Sequence, residues 1–324
     1  MIELDGVTKF FGNYPAITDI TFRVEKGEAV GFLGPNGAGK STTMKIITAF
    51  IPPTSGNCTV AGYNVVTHSL DVRRHIGYLP ETVPLYTDMS VKDYLAFMGK
   101  IRGMSQQRIR ARIPEVIETC RLQEYYNSYV SKLSKGFRQR VGIAQCILHE
   151  PDVLVLDEPT IGIDPIQVVE TRNLIRGLGG DHTLIVSTHI LPEVSMICER
   201  VVIIHEGQIV AVDKPENLAT RLRGVERVEI DVRGPTKEVM ATLKDVEGVQ
   251  AVERKRTPAG EDFNTYEIET VRGSDLRPQL AAAVVKGGWN LVRLQSMGMS
   301  LEEIFLRLTT TEDQPAAVAP ATTT

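Results

Sequence analysis

What this chain lacks narrows it before anything else does. It has four cysteines, Cys58, Cys120, Cys146 and Cys198, far apart and with no C-x-x-C pair. That speaks against a disulfide framework or a zinc site and for buried thiols in a reducing compartment. No apolar run approaches the roughly 18 residues a membrane-crossing helix needs, so any membrane role falls to a partner. The opening Met1-Ile2-Glu3-Leu4-Asp5 carries no positive stretch ahead of an apolar core, and no signal peptide is evident. The expectation is a soluble, cytoplasmic chain. An excess of basic charge is missing too. Lys plus Arg is 36 against 40 Asp plus Glu, a net charge of -4, which argues against a nucleic-acid binder working through a broad basic surface. Internal repeats are absent. What remains is an ordinary globular composition, with 324 residues to share between two domains.

One stretch organises the chain. Gly34-Pro35-Asn36-Gly37-Ala38-Gly39-Lys40-Ser41-Thr42 fits G-x-x-x-x-G-K-[ST], the phosphate-binding loop of nucleoside triphosphatases. Three glycines let the backbone turn with its amides inward, forming a concave anion site. A helix starting near Lys40 adds the positive end of its dipole. Lys40 then reaches the β- and γ-phosphates, and the Ser41 hydroxyl binds Mg²⁺. A chance glycine-rich turn is the competing reading. The apolar strand Ala29–Leu33 before the loop and the helical run after it weigh against that.

Taken in order, residues 1–33 read as strands and turns. Phe10 and Phe11 in this stretch read first as core and second as a platform for a flat nucleobase. Strands follow at Cys58–Gly62 and Ile76–Glu81, the second ended by proline with a carboxylate at its exit. Residues 82–150 change character to a helix-rich subdomain whose Arg108, Arg110 and Arg112 read as a solvated face. Parallel alternation resumes with apolar strands at Val153–Glu158, ending in two carboxylates, at Thr183–His189, ending in histidine, and at Val201–His205. Ligands in open parallel sheets lie beyond the carboxyl ends of the strands, which is where Asp157, Glu158 and His189 fall. From about 225 the order β-α-β-β-α-β, with a trailing helix at Leu301–Leu308, predicts a small ferredoxin-like sandwich. Residues 311–324, rich in Thr, Ala and Pro, read as a disordered tail. The fold class is thus α/β: a P-loop ATPase core with a mixed sheet and a helical subdomain, plus a small α+β C-terminal domain. The domains expected are 1–220, with the helical subdomain at 82–150, and 225–310.

An Asp-Glu pair ending a strand is by itself more often a turn or a cap than a catalytic site. Linked to a phosphate loop, it fits an aspartate that helps hold Mg²⁺ and a carboxylate that activates water. Together with Leu133-Ser134-Lys135-Gly136-Phe137-Arg138-Gln139-Arg140, Leu156-Asp157-Glu158-Pro159-Thr160, Gly162-Ile163-Asp164 and Ser187-Thr188-His189, the chain over about 1–220 resembles the ATP-binding cassette ATPases. That resemblance implies roles. Phe11 would stack on adenine, and residues Gly34 to Thr42 would wrap the phosphates, with Lys40 among the catalytic groups. Ser41, Asp157 and Glu81 would hold the metal. Ser134 and Gly136 would cover the γ-phosphate of ATP on the opposite subunit. Glu158 would activate water, Asp164 would sit at the dimer interface, and His189 would touch the γ-phosphate. Three departures stand out: Glu81 where the family usually has Gln, and Lys135 and Phe137 where it usually has Gly and Gln.

The resemblance is to bacterial export-type cassettes, of the gliding-motility and multidrug type, whose membrane subunits are separate polypeptides. It implies an ATPase using ATP and Mg²⁺, a homodimer on the inner face of the membrane beneath two permease subunits, and no nucleic acid. The membrane partner would be received by 82–150, near Glu81. A soluble cassette ATPase of translation or DNA repair is the alternative. Only one cassette is present, and no sustained heptads separate Lys40 from Ser134. A ligand-sensing role for the C-terminal domain is a third reading, for which its sequence supplies no ligand constellation.

Overall fold

The computed structural model describes residues 1–215, 217, 226–255, 262–271 and 275–297. The chain divides into two compact units, Met1–Pro215 and Glu216–Thr324. The first contains strands β1 (Ile2–Phe11), β2 (Tyr14–Val24) and β3 (Ala29–Leu33), then helix α1 (Lys40–Ile47). Next come β4 (Ser55–Val60), β5 (Tyr63–Asn64), α2 (Ser69–His75) and β6 (Ile76–Leu79). Three helices follow, α3 (Val91–Ile101), α4 (Gln106–Thr119) and α5 (Lys135–Ile147). The unit ends with β7 (Val153–Asp157), α6 (Pro165–Leu178), β8 (Thr183–Thr188), α7 (Leu191–Ile197), β9 (Arg200–His205) and β10 (Gln208–Asp213).

Two sheets form. One is antiparallel in the order β2-β1-β4-β5; the other runs β10-β9-β3-β8-β7-β6 and is parallel except for β10. Every residue of β3, β7 and β8 is buried. That is why they read as unbroken apolar runs: a parallel strand covered on both faces has no polar side to alternate with. The sheets enclose one core, in which the Phe22 and Phe32 rings lie 5.6 Å apart among Ile17, Ile20, Met44 and Val202. Register then does the functional work. Leu33 pairs with Thr188, and Asp157 with Ser187, so the loops leaving β3, β8 and β7 emerge side by side.

Residues 82–150 form the helix-rich stretch. Serines start its three helices: Ser90, Ser105 and Ser134 accept from the backbone N–H of Asp93, Arg108 and Phe137. The arginines of α4 are more than a solvated face. Arg108 pairs with Glu150, and Arg112 Nη1 lies 2.5 Å from Glu115 and 3.7 Å from Glu150, tying α4 to the chain beyond α5.

His149 lies in the same region, donating from Nε2 to the Ile76 carbonyl at 3.1 Å, with Nδ1 buried and unpaired. Burial, reinforced by the Arg102 charge, pushes its pKa down to about 4. The folded state therefore resists protonating this ring while the unfolded chain accepts the proton near its usual 6.5. Stability is full above that value and is lost as pH falls towards 4. Between pH 7 and 5 the loss is about 2 kcal/mol, on the order of 5 °C in melting temperature. In thermal melts, His149→Gln is expected to show a clearly shallower drop over that window than the parent. Equal slopes would show that other groups carry the acid sensitivity.

In the second unit, β11 (Glu226–Arg233), α8 (Thr236–Lys244), β12 (Val249–Arg254), β13 (Asn264–Thr270), α9 (Arg277–Lys286) and β14 (Asn290–Met297) follow one another. Their sheet order is β12-β13-β11-β14, antiparallel throughout. Both helices pack on one face, with Val239, Leu243, Leu280 and Val284 against Val228, Ile230, Tyr266 and Ile268. This is the split β-α-β arrangement of a ferredoxin-like sandwich. The expected helix at Leu301–Leu308 and the expected tail at 311–324 lie outside the described residues.

Candidate nucleotide site

The loop between β3 and α1 is shaped by what its glycines leave out. Gly37 (φ 83°) and Gly39 (φ 107°) are left-handed. A Cβ on Gly39 would come within 2.6 Å of Ile17 Cγ2 and 2.8 Å of the Ala16 carbonyl; one on Gly34 would lie 2.6 Å from the Ile204 carbonyl. The loop is thereby pressed onto β2 and β9. Helix α1 begins with Gly39 as its cap, no side chain bonding its first N–H groups and no acidic residue in its first turn. Those amides and the dipole are left to an anion.

Lys40 is buried, 6% exposed, and its ammonium donates to the carbonyls of Gly34 at 2.7 Å and Pro35 at 3.1 Å. Its charge partner is Glu158, 3.3 Å away. Glu158 follows β7 with φ 49°, a left-handed conformation costing a non-glycine residue on the order of 1–2 kcal/mol. Two bonds hold it there: its N–H lies 3.0 Å from Ser187 Oγ and 3.1 Å from the Ser187 carbonyl. The Ser187 hydroxyl in turn donates to Asp157, itself 2% exposed. His189 completes the cluster, with Nδ1 3.0 Å from one Glu158 oxygen and 3.1 Å from the other. Phosphate loop, Asp157, Glu158 and His189 thus converge at the carboxyl ends of three adjacent strands.

Two participants were not assigned roles from sequence. Ser187 serves both carboxylate-bearing residues, and only its register opposite Asp157 reveals this. Glu193, 7% exposed, accepts from Thr160 Oγ1 at 2.6 Å and Thr188 Oγ1 at 3.4 Å, pinning α7 to the loop after β7 and to the end of β8. Nothing local marks either residue; their partners lie about thirty positions away or across a turn.

The remaining residues lie apart from this cluster. Ser134 and Gly136 open α5, where a Cβ on Gly136 would meet Gln167 at 3.0 Å, and Arg140 ties α5 to Gln167 and Glu170 of α6. Asp164 caps α6, accepting from the Gln167 N–H at 3.1 Å. Glu81 is exposed beyond β6, lining a cavity of 410 Å³ with Lys135, Arg138 and Ile161. Phe10 and Phe11 correct the first reading of them as core: they are 41% and 52% exposed. The hairpin they end, with Phe11 paired to Tyr14, runs past the edge of the packed interior. Lys9 Nζ lies 5.4 Å from the Phe11 ring centre.

The family model described as ABC transporter matches residues 17–161. The linearmycin resistance ATP-binding protein LnrL of Bacillus subtilis (strain 168) is 31% identical over 312 residues, covering 95% of this chain and 98% of the relative. The chain belongs to the ABC transporter ATP-binding proteins. The bacitracin transport ATP-binding protein BcrA of Bacillus licheniformis is also 31% identical, over 95% of the cassette chain and 97% of its own. Among solved structures, the ATP-binding cassette MJ0796, dimeric and bound to ADP and Pi in a post-hydrolysis state, is 25% identical with a TM-score of 0.60. It covers 66% of this chain and 99% of its own. The cassette is therefore a P-loop ATPase that binds ATP. Among the described residues no helix is long and apolar enough to cross a membrane.

Proposed function

We propose that the cassette is the ATP-hydrolysing subunit of a bacterial exporter, acting as a homodimer on the cytoplasmic face of the membrane beneath two separate permease subunits. One observation carries the reading. Lys40, Glu158 and His189 are assembled within one chain, whereas Ser134 and Gly136 open a different helix held against α6. A second copy facing the first would bring Ser134, the α5 amino end and Gly136 onto the γ-phosphate held by residues 34–42. Asp164, at the start of α6, would then stand at the interface. The dimeric state of MJ0796 with ADP and Pi supports this arrangement.

Glu158 is the group that takes the proton from the attacking water, and His189, bonded to it, orients that carboxylate. Mg²⁺ would be held by the Ser41 hydroxyl and Asp157 and would neutralise charge on the β- and γ-phosphates. Both offer oxygen, which suits a hard cation; Glu81 lies apart from them, in the cavity with Lys135 and Arg138. The exposed Phe11 ring offers a face for adenine.

Transport and resistance names such as those of LnrL and BcrA favour an exporter over a role in translation or DNA repair. The test is purification of the tagged cassette from gently solubilised membranes. An integral membrane protein should accompany it in near-stoichiometric amount, and ATP hydrolysis should be higher with that protein present. Recovery with ribosomes or DNA and no membrane protein would reject the exporter reading.

A further inference from the structure

Phe137 lies in the first turn of α5, three residues after Ser134, and no step of the hydrolysis uses its ring. The ring centre is 4.2 Å from that of Tyr125, in the turn after α4. The Arg140 guanidinium lies over the same ring, 5.1 Å from its centre. Arg140 is 4% exposed, and its other contacts are uneven. Nη2 serves both Glu170 and Gln167 Oε1, the latter at 3.0 Å, while Nε is buried without an acceptor. A buried cation with one arm unsatisfied gains from an aromatic face, whose negative quadrupole attracts it where no oxygen reaches.

What Arg140 holds is the face that carries Ser134 and Gly136. Gln167 Oε1, bonded to Arg140, would lie 3.0 Å from a Cβ on Gly136, so α5 and α6 meet closely at that point. The Gln167 N–H also donates to Asp164, which caps α6. Phe137 adds a bond of its own: its backbone N–H donates to Ser134 Oγ at 3.4 Å. That bond takes up a lone pair and leaves the hydroxyl proton free for an anion. Ring, guanidinium and carboxamide thus link the turn after α4 to Asp164 in one packed series.

We infer that Phe137 is a positioning residue for hydrolysis: its ring seats Arg140, and Arg140 fixes Ser134 and Gly136 at a set spacing from Asp164. The inference rests on the two-copy reading of the site and adds what keeps the covering face in shape. Glutamine, usual at this position in the family, has no ring to offer the guanidinium. Because that face serves the opposite copy, loss of the ring is felt at the site the face covers and not at the loop of its own chain.

Mixed dimers test this. When a Lys40→Ala chain meets a Ser134→Arg chain, the one site with both parts intact takes its loop from the second and its Ser134 from the first. ATP-dependent energy transfer between labelled chains reports its assembly. Phe137→Ala in the Lys40→Ala chain should raise the ATP concentration for half-maximal transfer at least about fivefold, the order of a lost cation–π contact. The same substitution in the Ser134→Arg chain, whose own face is already blocked, should move it less than about twofold, as for independent sites. Phe137→Tyr should restore the parental value. Phe137→Leu keeps apolar bulk without the π face, should shift the value in the same direction as Ala, and decides the matter if the Ala variant fails to fold. For whichever of the two folds, an equal shift in both placements, or none in the first, overturns the inference while the two-copy reading stands. If the pair unchanged at Phe137 gives no energy transfer, the two-copy reading fails and the inference with it.

Discussion

Replacing Glu158 by Gln is expected to cut steady-state ATP hydrolysis by about 10²–10⁴, the range a positioned general base supplies, while ATP still binds. The geometry sets both halves of that expectation. Glu158 carries no part of the anion cradle itself; the loop at 34–42 and Lys40 do. Its carboxylate lies 3.3 Å from Lys40, so removing the negative charge leaves that ammonium freer to hold a phosphate. The backbone that presents it is fixed from Ser187 and is untouched by the change. Gln keeps the shape but is not basic enough to take a proton. The variant should therefore accumulate as an ATP-bound dimer, seen as an ATP-dependent shift in mass by light scattering. A turnover rate within tenfold of the parent would remove Glu158 from the role of base.

Much of this site was readable from sequence because its determinants are local. The spacing of Gly34, Gly37, Gly39 and Lys40 is a backbone constraint, and the close approaches at Gly34 and Gly39 explain why larger residues have no room there. Strands β3, β7 and β8 showed themselves as apolar runs because they are buried on both faces. What sequence could not supply depends on register and distance. Ser187 looks like any strand serine until pairing sets it opposite Asp157. Glu193 looks like a surface acid in the first turn of α7 until the fold gives it two hydroxyl donors. Composition alone placed Phe10 and Phe11 in the core, because aromatic character favours burial; both are exposed at the end of the β1–β2 hairpin, which leaves Phe11 open to the platform role the resemblance implies. In the second unit the alternation of elements was legible, whereas the strand order had to come from the pairing.

The separation of Lys40 from Ser134 leads to the second large effect. Lys40→Ala removes the cation from the phosphate loop, and Ser134→Arg fills the amino end of α5 with a bulky charge. Each alone is expected to lose ATP-driven association and at least about 10² in hydrolysis, the usual loss when a positioned charge or donor is removed from such a site. If the two faces of a site come from different copies, these defects complement. In a mixed dimer one site carries both lesions, but the other pairs an intact loop with an intact signature. Donor-labelled Lys40→Ala mixed with acceptor-labelled Ser134→Arg should show ATP-dependent energy transfer that neither variant shows with itself. A chain carrying both substitutions, mixed with the parent, offers no intact site in the mixed dimer and should stay silent. Were loop and signature to serve the same chain, the two single variants would be as silent together as apart. The bonds holding α5 to α6, from Arg140 to Gln167 and Glu170, make Ser134 part of a rigid face presented outward, and complementation is the direct measure of what that face covers.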